Sequence, residues 1–422
     1  MRLAVILSVL VLLAAAAFTV RGWNRERDLP PPKAAQSQPQ RPTVTGWPNF
    51  LGPTHNSVSP ETGLLVSFPA SGPRELWRRE LGTSFSSPVV TDAGLIAFYR
   101  QADREIVECL DPQTGESRWS FAYPTAWVCK YEYSNGPYST PIIDGDIVYT
   151  VGAEGKLHAL NMEDGTCAWR RDLKTDYQPA EMLFCIGASP LVSHDRLYFT
   201  LGGTVGASGT LCLDKRTGET LWTATDHAAG YATPALATIH GREYLFVFDH
   251  FGLVALDPHN GKVFWELAFQ SRAPDTVCAT SPVVYEDLVM VTMGPAPGAL
   301  CVRVLPDGSY EEVWREKRVI DSTWNNVVHT DGFAFGYTSK RIRSQLRSID
   351  LRSGKVLWQW ESNLERGSLI AADGKLIAWG EHGHLALLRL DPHKLEVLAQ
   401  TAEPLLATPC YPMPALHRGM LY

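Results

Sequence analysis

The chain contains 422 residues, with 38 basic and 45 acidic side chains and a formal net charge of −7. A surface with this balance lacks the basic field that duplex nucleic acid or an anionic lipid surface requires, so neither is expected to bind the folded part. A hydrophobic fraction of 45% with 20% charged residues is typical of a globular protein and argues against extensive disorder.

An export segment is predicted at the N-terminus. Met1 and Arg2 precede an uninterrupted apolar run over residues 3–20, with alanines at 14–17. This pattern fits a secretory signal that is cleaved in the alanine block. The run is also long enough for an uncleaved membrane anchor. Residues 1–23 are therefore predicted to be a signal peptide or an N-terminal anchor, and the protein to be periplasmic, either free or tethered to the inner membrane.

A linker rich in Pro, Gln and Arg follows the export segment. Residues 24–46 contain almost no large apolar side chains, which predicts a disordered, flexible tether. Folded sequence begins near Trp47, and we predict a single domain over residues 47–422.

Two short motifs recur along this domain. The first is Leu or Ile, then Asp or Asn, a turn with Gly, and Trp four residues after the Gly. Clear copies begin at Leu110, Leu160, Leu213, Leu256 and Ile349, and weaker copies include Gly308 and Leu390. The second motif, Ser or Thr before Pro, begins at Ser87, Thr140, Ser189, Thr233 and Ser281, with degenerate copies at Asn326, Ser368 and Met413. The spacing indicates a unit of about 47 residues, present eight times.

The apolar runs within each unit are short and strand-like, as in Ile147–Val151 and Leu288–Thr292. Turns with Gly, Asp or Asn separate them. About four strands per unit, repeated radially, make a β-propeller blade. A closed ring also protects the edge strands that an open array would expose. The predicted fold is therefore all-β, an eight-bladed β-propeller.

The Trp of the first motif keeps a constant offset, as expected for a large flat side chain that packs against the neighbouring blade. The Gly can adopt a positive φ, and the Asp carboxylate can cap the turn. We predict a structural role, rather than ligand contact, for seven residues: Trp77, Trp119, Trp169, Trp222, Trp265, Trp314 and Trp358.

The repeat, seen cleanly in Leu213–Trp222, resembles the tryptophan-docking repeat of PQQ-binding-like β-propellers. The segments 47–53 and 58–64 are similar to exported propellers of this group from planctomycete-type bacteria. The resemblance covers nearly all of 47–422 and implies a quinoprotein-type propeller. It does not imply one activity, because the repeat is shared by quinoprotein dehydrogenases and by non-catalytic propellers such as outer-membrane protein assembly factor B.

Closure of the ring is expected to depart from the family pattern. In related propellers a further strand follows a segment like 413–422, whereas this sequence ends at Tyr422. Ring closure normally pairs an N-terminal strand, here around residues 76–81, with strands from the C-terminus. The sequence therefore predicts either a last blade that is one strand short or a truncated chain, and the hypothesis is a weakened eighth blade.

No cofactor is expected from the sequence. The resemblance implies that a quinoprotein dehydrogenase would hold PQQ between a Trp and a disulfide of adjacent cysteines, with Ca²⁺ on Glu, Asn and Asp. None of the eight cysteines is adjacent to another. His382 and His384 fall where other repeats have a hairpin turn, so no metal site is predicted there. PQQ with Ca²⁺ remains the alternative.

Two long connections depart from the repeat and carry aromatic side chains. Residues 120–138 and 172–188 supply the candidate partner-binding residues, which are Tyr123, Trp127, Tyr131, Tyr133, Tyr138, Tyr177 and Phe184. Long propeller loops ring one mouth of the central channel, where aromatic residues suit contact with a peptide or protein. The same residues could instead form a packed lid over the channel.

The leading hypothesis is an exported, monomeric, non-catalytic propeller that acts as a protein-binding or assembly scaffold. Its partner would be another protein or a peptide at the propeller mouth. The alternatives are a PQQ-dependent oxidoreductase and a sensor of a small ligand or carbohydrate, because the repeat alone does not distinguish among these functions.

Overall fold

The structure is a computed structural model that describes residues 46–131, 133–181, 183–271, 277–339, 343–407 and 409–422. The predicted export segment and all of the predicted tether except residue 46 lie outside these ranges. Within them, no helix is both long enough and apolar enough to cross a membrane.

Two short strands precede the repeated sheets: β1 (Gly46–Trp47) and β2 (Val58–Ser59). Seven antiparallel, four-stranded sheets follow, which we call blades 1–7. Blade 1 contains β3 (Val89–Thr91), β4 (Gly94–Gln101), β5 (Arg104–Leu110) and β6 (Ser117–Pro124). Blade 2 contains β7 (Ile142–Asp144), β8 (Ile147–Val151), β9 (Lys156–Asn161) and β10 (Cys167–Asp172). One helix, α1 (Leu173–Tyr177), then precedes blade 3.

Blade 3 contains β11 (Leu191–Ser193), β12 (Arg196–Gly203), β13 (Ser208–Asp214) and β14 (Thr220–Ala224). Blade 4 contains β15 (Ala235–Ile239), β16 (Arg242–Phe248), β17 (Gly252–Leu256) and β18 (Val263–Ala268). Blade 5 contains β19 (Val283–Tyr285), β20 (Leu288–Met293), β21 (Gly298–Val304) and β22 (Tyr310–Glu316). Blade 6 contains β23 (Val328–Thr330), β24 (Phe333–Tyr337), β25 (Leu346–Asp350) and β26 (Val356–Trp360). Blade 7 contains β27 (Gly367–Ala372), β28 (Lys375–Gly380), β29 (Leu385–Arg389) and β30 (Val397–Gln400).

The hydrophobic core lies between neighbouring blades. All six residues of β20 are buried, because both faces of this strand are covered by another blade. The outermost strand of a blade is instead partly exposed, as β10 is along most of its length. One core cluster joins Phe246 and Leu253 of blade 4 to Val291 and Leu300 of blade 5. The predicted all-β propeller is therefore confirmed.

The ring closes through a small hairpin, β31 (Leu416–His417) and β32 (Met420–Leu421). The first strand of each blade lies nearest the axis, and the first strands of neighbouring blades pack against one another. β31 packs against β3, the first strand of blade 1, in the same way. The hairpin thus occupies the place predicted for an incomplete last blade. The number of eight blades stays a prediction.

The prediction of a strand around residues 76–81 is wrong, because the described chain has no strand between Ser59 and Val89. Side chains hold this segment instead. The indole of Trp77 donates to Pro112 O of blade 1 at 3.0 Å. Its ring lies 6.1 Å from that of Tyr422. The N- and C-terminal parts of the domain therefore meet here without a backbone ladder.

Candidate functional site

The repeated tryptophans join consecutive repeats. Trp119 Nε1 donates to Met162 O at 2.8 Å, and Trp222 Nε1 donates to Pro258 O at 3.1 Å. Four others do the same toward the following repeat: Trp77, Trp169, Trp314 and Trp358. Each indole N–H thereby satisfies a carbonyl in the next turn.

Trp265 differs from the other six. Among the described residues, its buried indole nitrogen has no hydrogen-bond partner, although its ring centroid lies 4.6 Å from that of Tyr310. The space next to Gly308 of the following turn is taken by the guanidinium of Arg242. At the weaker motif copy, Gly308 therefore faces an arginine of blade 4 rather than the ring of Trp265.

The Ser/Thr-Pro motif forms hydrogen bonds around the channel mouth. Met413 N donates to Ser87 Oγ at 2.8 Å, Ser87 N to Thr140 Oγ1 at 3.1 Å, and Thr140 N to Ser189 Oγ at 2.8 Å. Each hydroxyl thus accepts a bond from the backbone of an adjoining repeat. Asn326, a degenerate copy, donates to Leu369 O at 2.9 Å and accepts from Leu369 N at 3.1 Å.

Residues 46–59 fill the channel, and we call this segment the plug. β1 pairs with β3, and β2 pairs with β27, each on the edge that faces the axis. Between them, Pro48 O accepts from Ile143 N at 2.8 Å, and Ser57 O accepts from Ala371 N at 2.9 Å. The plug therefore bonds to the inner strands of blades 1, 2 and 7.

The orientation of the plug follows from strand direction. β3 runs away from the Ser87 end of the channel, and β1 is antiparallel to it, so the chain after Trp47 approaches that end. β2 is parallel to β27 and leads away again. The turn of the plug consequently lies beneath the mouth, and residue 46 lies at the opposite face of the propeller.

An aromatic cavity of about 280 Å³ occupies the mouth above the plug, and we call it the mouth pocket. Its lining contains eight aromatic side chains: Phe50, Phe85, Tyr133, Tyr138, Phe184, Tyr231, Trp324 and Tyr411. The polar lining residues are mainly from the second motif, namely Ser87, Ser189, Thr233, Asn326 and Ser368. The pocket is thus built from the plug and from the mouth end of most blades.

The aromatic rings contact one another around the pocket. The centroids of Phe85 and Tyr138 are 4.9 Å apart, and those of Phe85 and Tyr411 are 5.0 Å apart. Phe184 lies 5.5 Å from Tyr133, and Phe184 N donates to the Tyr231 hydroxyl at 2.8 Å. Separations in this range are typical of edge-to-face and tilted packing, so the wall is a packed cluster.

Three of the seven candidate loop residues line the mouth pocket: Tyr133, Tyr138 and Phe184. Two lie beside it. Trp127 is 6.0 Å from Tyr138, and Tyr131 is 5.8 Å from Phe184. Tyr131 and Tyr133 are 44% and 47% exposed. The rings are packed against one another and also present exposed edges, and contact with a partner stays a prediction.

The predicted placement of Tyr123 and Tyr177 in long loops at the mouth is wrong. Tyr123 lies on β6, is 6% exposed, and packs 4.3 Å from His158. Tyr177 ends α1, where its ring belongs to a core cluster between blades 2 and 3. Tyr123 is not in a loop because β6 extends through Pro124. Tyr177 is not in a loop because Asp172 caps the helix α1, where its carboxylate accepts from Thr175 N.

Sequence reasoning missed five aromatic residues of the pocket: Phe50, Phe85, Tyr231, Trp324 and Tyr411. Phe85, Tyr231 and Trp324 each precede a copy of the Ser/Thr-Pro motif by two residues, and Tyr411 precedes Met413 by two. This shared offset was a usable signal, because the motif places the preceding residues at the channel mouth.

One ion pair stands beside the pocket wall. Arg366 is a lining residue whose guanidinium makes a two-pronged contact with the buried carboxylate of Glu381, with a shortest distance of 2.7 Å. The same guanidinium lies 5.7 Å from the Trp324 ring centroid. Burial raises the pKa values of Tyr231 and Tyr411, so both hydroxyls stay neutral at physiological pH.

The described pocket does not fit PQQ with Ca²⁺. PQQ carries three carboxylates, but the one cationic side chain of the described lining already pairs with Glu381. The described cysteines form no disulfide. In the same ranges, no group of three His, Cys, Asp or Glu side chains is arranged to hold a metal ion. Buried carboxylates without compensating partners are strongly unfavourable, so this lining opposes the quinone.

Comparison with known proteins identifies the family to which the repeated part of the chain belongs. The sequence profile described as outer membrane protein assembly factor BamB matches residues 103–360, more than half of the chain. The chain belongs to this family. BamB from Legionella pneumophila is 30% identical over 154 residues, covering 36% of this chain and 35% of that protein.

Quinoprotein ethanol dehydrogenase from Pseudomonas putida is 26% identical over 186 residues, or 37% of this chain and 29% of the enzyme. The chain therefore matches about a third of the length of these curated relatives. The crystal structure of BamB from Moraxella catarrhalis superimposes with a TM-score of 0.54 at 16% identity, covering 80% of this chain and 90% of that one. At this identity the superposition establishes the shared propeller fold.

Proposed function

We propose that this BamB-family propeller is an exported, non-catalytic scaffold that binds polypeptide at its aromatic mouth during outer-membrane protein assembly. The observation that carries the proposal is the mouth pocket, where aromatic side chains from separate repeats converge at one end of a plugged channel. Aromatic residues and Arg are enriched at protein interfaces, and Arg366 adjoins the rings. Relatives named as outer membrane protein assembly factors support the choice of partner class.

The test uses the purified full chain and a urea-unfolded β-barrel outer membrane protein that carries a fluorescent label. We expect saturable binding by fluorescence anisotropy after dilution of the urea. The double variant Tyr131→Ala/Tyr133→Ala should weaken binding about tenfold, as expected for two interface anchors. Tyr310→Ala, on the outer strand β22, is the matched control and should bind normally. Equal binding by all three proteins would refute a role for the aromatic mouth.

A quinoprotein oxidoreductase is the second candidate, favoured by the similarity to quinoprotein ethanol dehydrogenase. Titration of the full chain with PQQ and Ca²⁺ tests it, with tryptophan fluorescence and dye-linked alcohol oxidation as readouts. We expect no saturable quenching, because the described pocket lacks charge compensation for the quinone carboxylates. Saturable, Ca²⁺-dependent quenching with turnover would replace the scaffold proposal.

A further inference from the structure

We propose that the mouth pocket binds an uncharged ring-bearing side chain, aromatic or prolyl, presented by an extended segment of the partner polypeptide. This inference rests on the proposed function and specifies the chemistry that the pocket selects. It follows from the pocket's size, its charge, the state of its polar groups and the plug that closes it.

The size of the pocket suits one side chain. Its volume of about 280 Å³ lies just below the range of about 300–1,000 Å³ that is typical of pockets for drug-sized ligands and cofactors. The plug closes the inner end, since Phe50 lines the pocket and Trp47 behind it is 1% exposed. A ligand must therefore enter and leave from the mouth, and an extended chain can insert a side chain there but cannot pass through.

The rim of the pocket indicates that the ligand is larger than the pocket. Tyr131 and Tyr133, whose ring centroids lie 5.8 Å and 5.5 Å from that of Phe184 in the lining, are 44% and 47% exposed. Exposed apolar side chains that continue outward from a cavity are typical of a protein interaction site. A chain whose ring enters the pocket would cover these side chains with its flanking residues.

The charge of the pocket excludes ionic ligands. The guanidinium of Arg366 is neutralised by Glu381, which is 3% exposed. A ligand carboxylate would compete with an ion pair that already has good geometry, and a ligand cation would approach Arg366. A carboxylate would lose hydration without gaining a free cationic partner. A cation would find the Glu381 carboxylate already paired, which leaves only the aromatic faces to offset its lost hydration.

The polar groups of the pocket disfavour a sugar. Both ends of the Asn326 amide are occupied, by Ser57 Oγ and by the backbone of Leu369. The Ser87 and Ser189 oxygens already accept backbone N–H groups. Each of these hydroxyls keeps one donor and one acceptor position. A polyol would bury more hydroxyls than these few positions can pair, and each unpaired group is costly. An aromatic or prolyl ring requires no such partners, and aromatic-lined grooves recognise extended proline-containing segments.

The experiment is isothermal titration calorimetry of the full chain with capped pentapeptides, Ac-Gly-Gly-X-Gly-Gly-NH2. X is Phe or Pro in the test peptides and Ser, Glu or Lys in the matched controls, with maltose as the neutral polyol probe. We expect the Phe or Pro peptide to bind at least fivefold more tightly than the Ser peptide, with no saturable binding of the Glu peptide, the Lys peptide or maltose. Tyr133→Ala should weaken the ring peptides about fivefold, whereas Tyr310→Ala should not.

Tyr133 is 47% exposed, so its truncation is not expected to unfold the domain. Equal affinity for ring and Ser peptides, tighter binding of a charged peptide or of maltose, or ring-peptide binding that survives Tyr133→Ala would each overturn the inference. If the unfolded barrel protein binds through the aromatic mouth while no ring peptide does, this inference fails and the proposed function stands. If ring peptides bind but the barrel protein does not, the proposed partner class fails instead.

Discussion

The absence of a Cβ at one position lets five repeats receive the tryptophan of the preceding repeat. A Cβ built on Gly165 would lie 2.5 Å from the Trp119 ring, and one on Gly218 would lie 2.7 Å from the Trp169 ring. Both glycines also have positive φ, as the turn requires. The motif therefore requires glycine for two separate reasons. The turn needs a positive φ, and the tryptophan ring of the preceding repeat lies too close for a Cβ.

Gly165→Ala tests the contact, with Gly145→Ala as the matched control. Gly145 has a φ of 59° and nothing within 4 Å of an added Cβ, so Ala there should lower the free energy of unfolding by about 1 kcal/mol through backbone strain. Gly165→Ala has similar strain and must also displace Trp119, which should bring the loss to about 2–4 kcal/mol. Urea denaturation measures both, and equal losses would contradict a role for the close approach.

His158 gives the domain a pH dependence. It is 4% exposed, and burial, reinforced by Arg170 and Lys156, lowers its pKa from 6.5 to about 4. Between these values the unfolded chain binds a proton that the folded chain does not. Proton uptake by the unfolded chain therefore lowers the free energy of unfolding as the pH falls from 6.5 toward 4, and His158 has no such effect well above pH 6.5.

We expect the free energy of unfolding of the wild type to fall by about 3 kcal/mol more than that of His158→Gln between pH 6.5 and 4. The comparison cancels the contribution of Glu105, a buried carboxyl whose raised pKa acts in the opposite direction in both proteins. His259→Gln is the control, because this side chain is 62% exposed. Parallel pH profiles for wild type and His158→Gln would show that the imidazole titrates normally.

At the scale of the element, the repeated strands were predictable and the plug was not. The run Ile147–Val151 coincides with β8, because local alternation and flanking turns define a strand within a repeat. β1 and β2 have two residues each, too few for any periodicity. Gly46 pairs with Thr91 and Val58 with Ala371, so the plug depends on contacts remote in sequence.

The mouth pocket was predictable only in part for the same reason. Tyr133, Tyr138 and Phe184 were found because their connections are long, whereas Trp324 and Tyr411 flank short motif copies and meet only after the ring has closed. Tyr123 was misplaced because an aromatic run at the end of β6 resembles a loop rich in aromatics.

Asn326 connects the plug to blades 6 and 7, and its truncation should show how much this connection contributes. Asn326→Ala removes bonds to Ser57 Oγ and to the backbone of Leu369 and leaves buried groups unpaired. We expect a loss of about 3 kcal/mol in the free energy of unfolding, measured by urea denaturation. Asn260→Ala, in an exposed turn, should lose less than about 1 kcal/mol. Similar losses in the two variants would mean that this connection contributes little to stability.

At the scale of the whole molecule, stability depends on how the β31–β32 hairpin is held at the closing seam of the ring. The hairpin of β31 and β32 is joined to the N-terminal part by the Glu61 carboxylate, which accepts from Arg418 N at 2.8 Å and from Gly419 N at 2.7 Å. The Asp92 carboxylate, which follows β3 of blade 1, lies 2.9 Å from His417 Nε2 and forms an ion pair with Arg418 at 2.8 Å. Closure thus combines these charge-assisted bonds with a hydrophobic cluster that joins the plug and blades 1 and 7 to buried residues within 410–416.

Glu61→Ala should therefore loosen the ring at this seam before it affects the other blades. Two hydrogen bonds to a carboxylate are lost, so we expect about 2 kcal/mol of destabilisation and a lower melting temperature. Limited proteolysis followed by mass spectrometry should show faster cleavage within residues 409–422 in the variant, because an opened ring exposes the hairpin edge. Glu116→Ala, in an exposed turn of blade 1, is the control and should match the wild type. If Glu61→Ala leaves residues 409–422 as protected as in the wild type, or if cleavage begins in another blade, the hairpin is not the weak point of the ring.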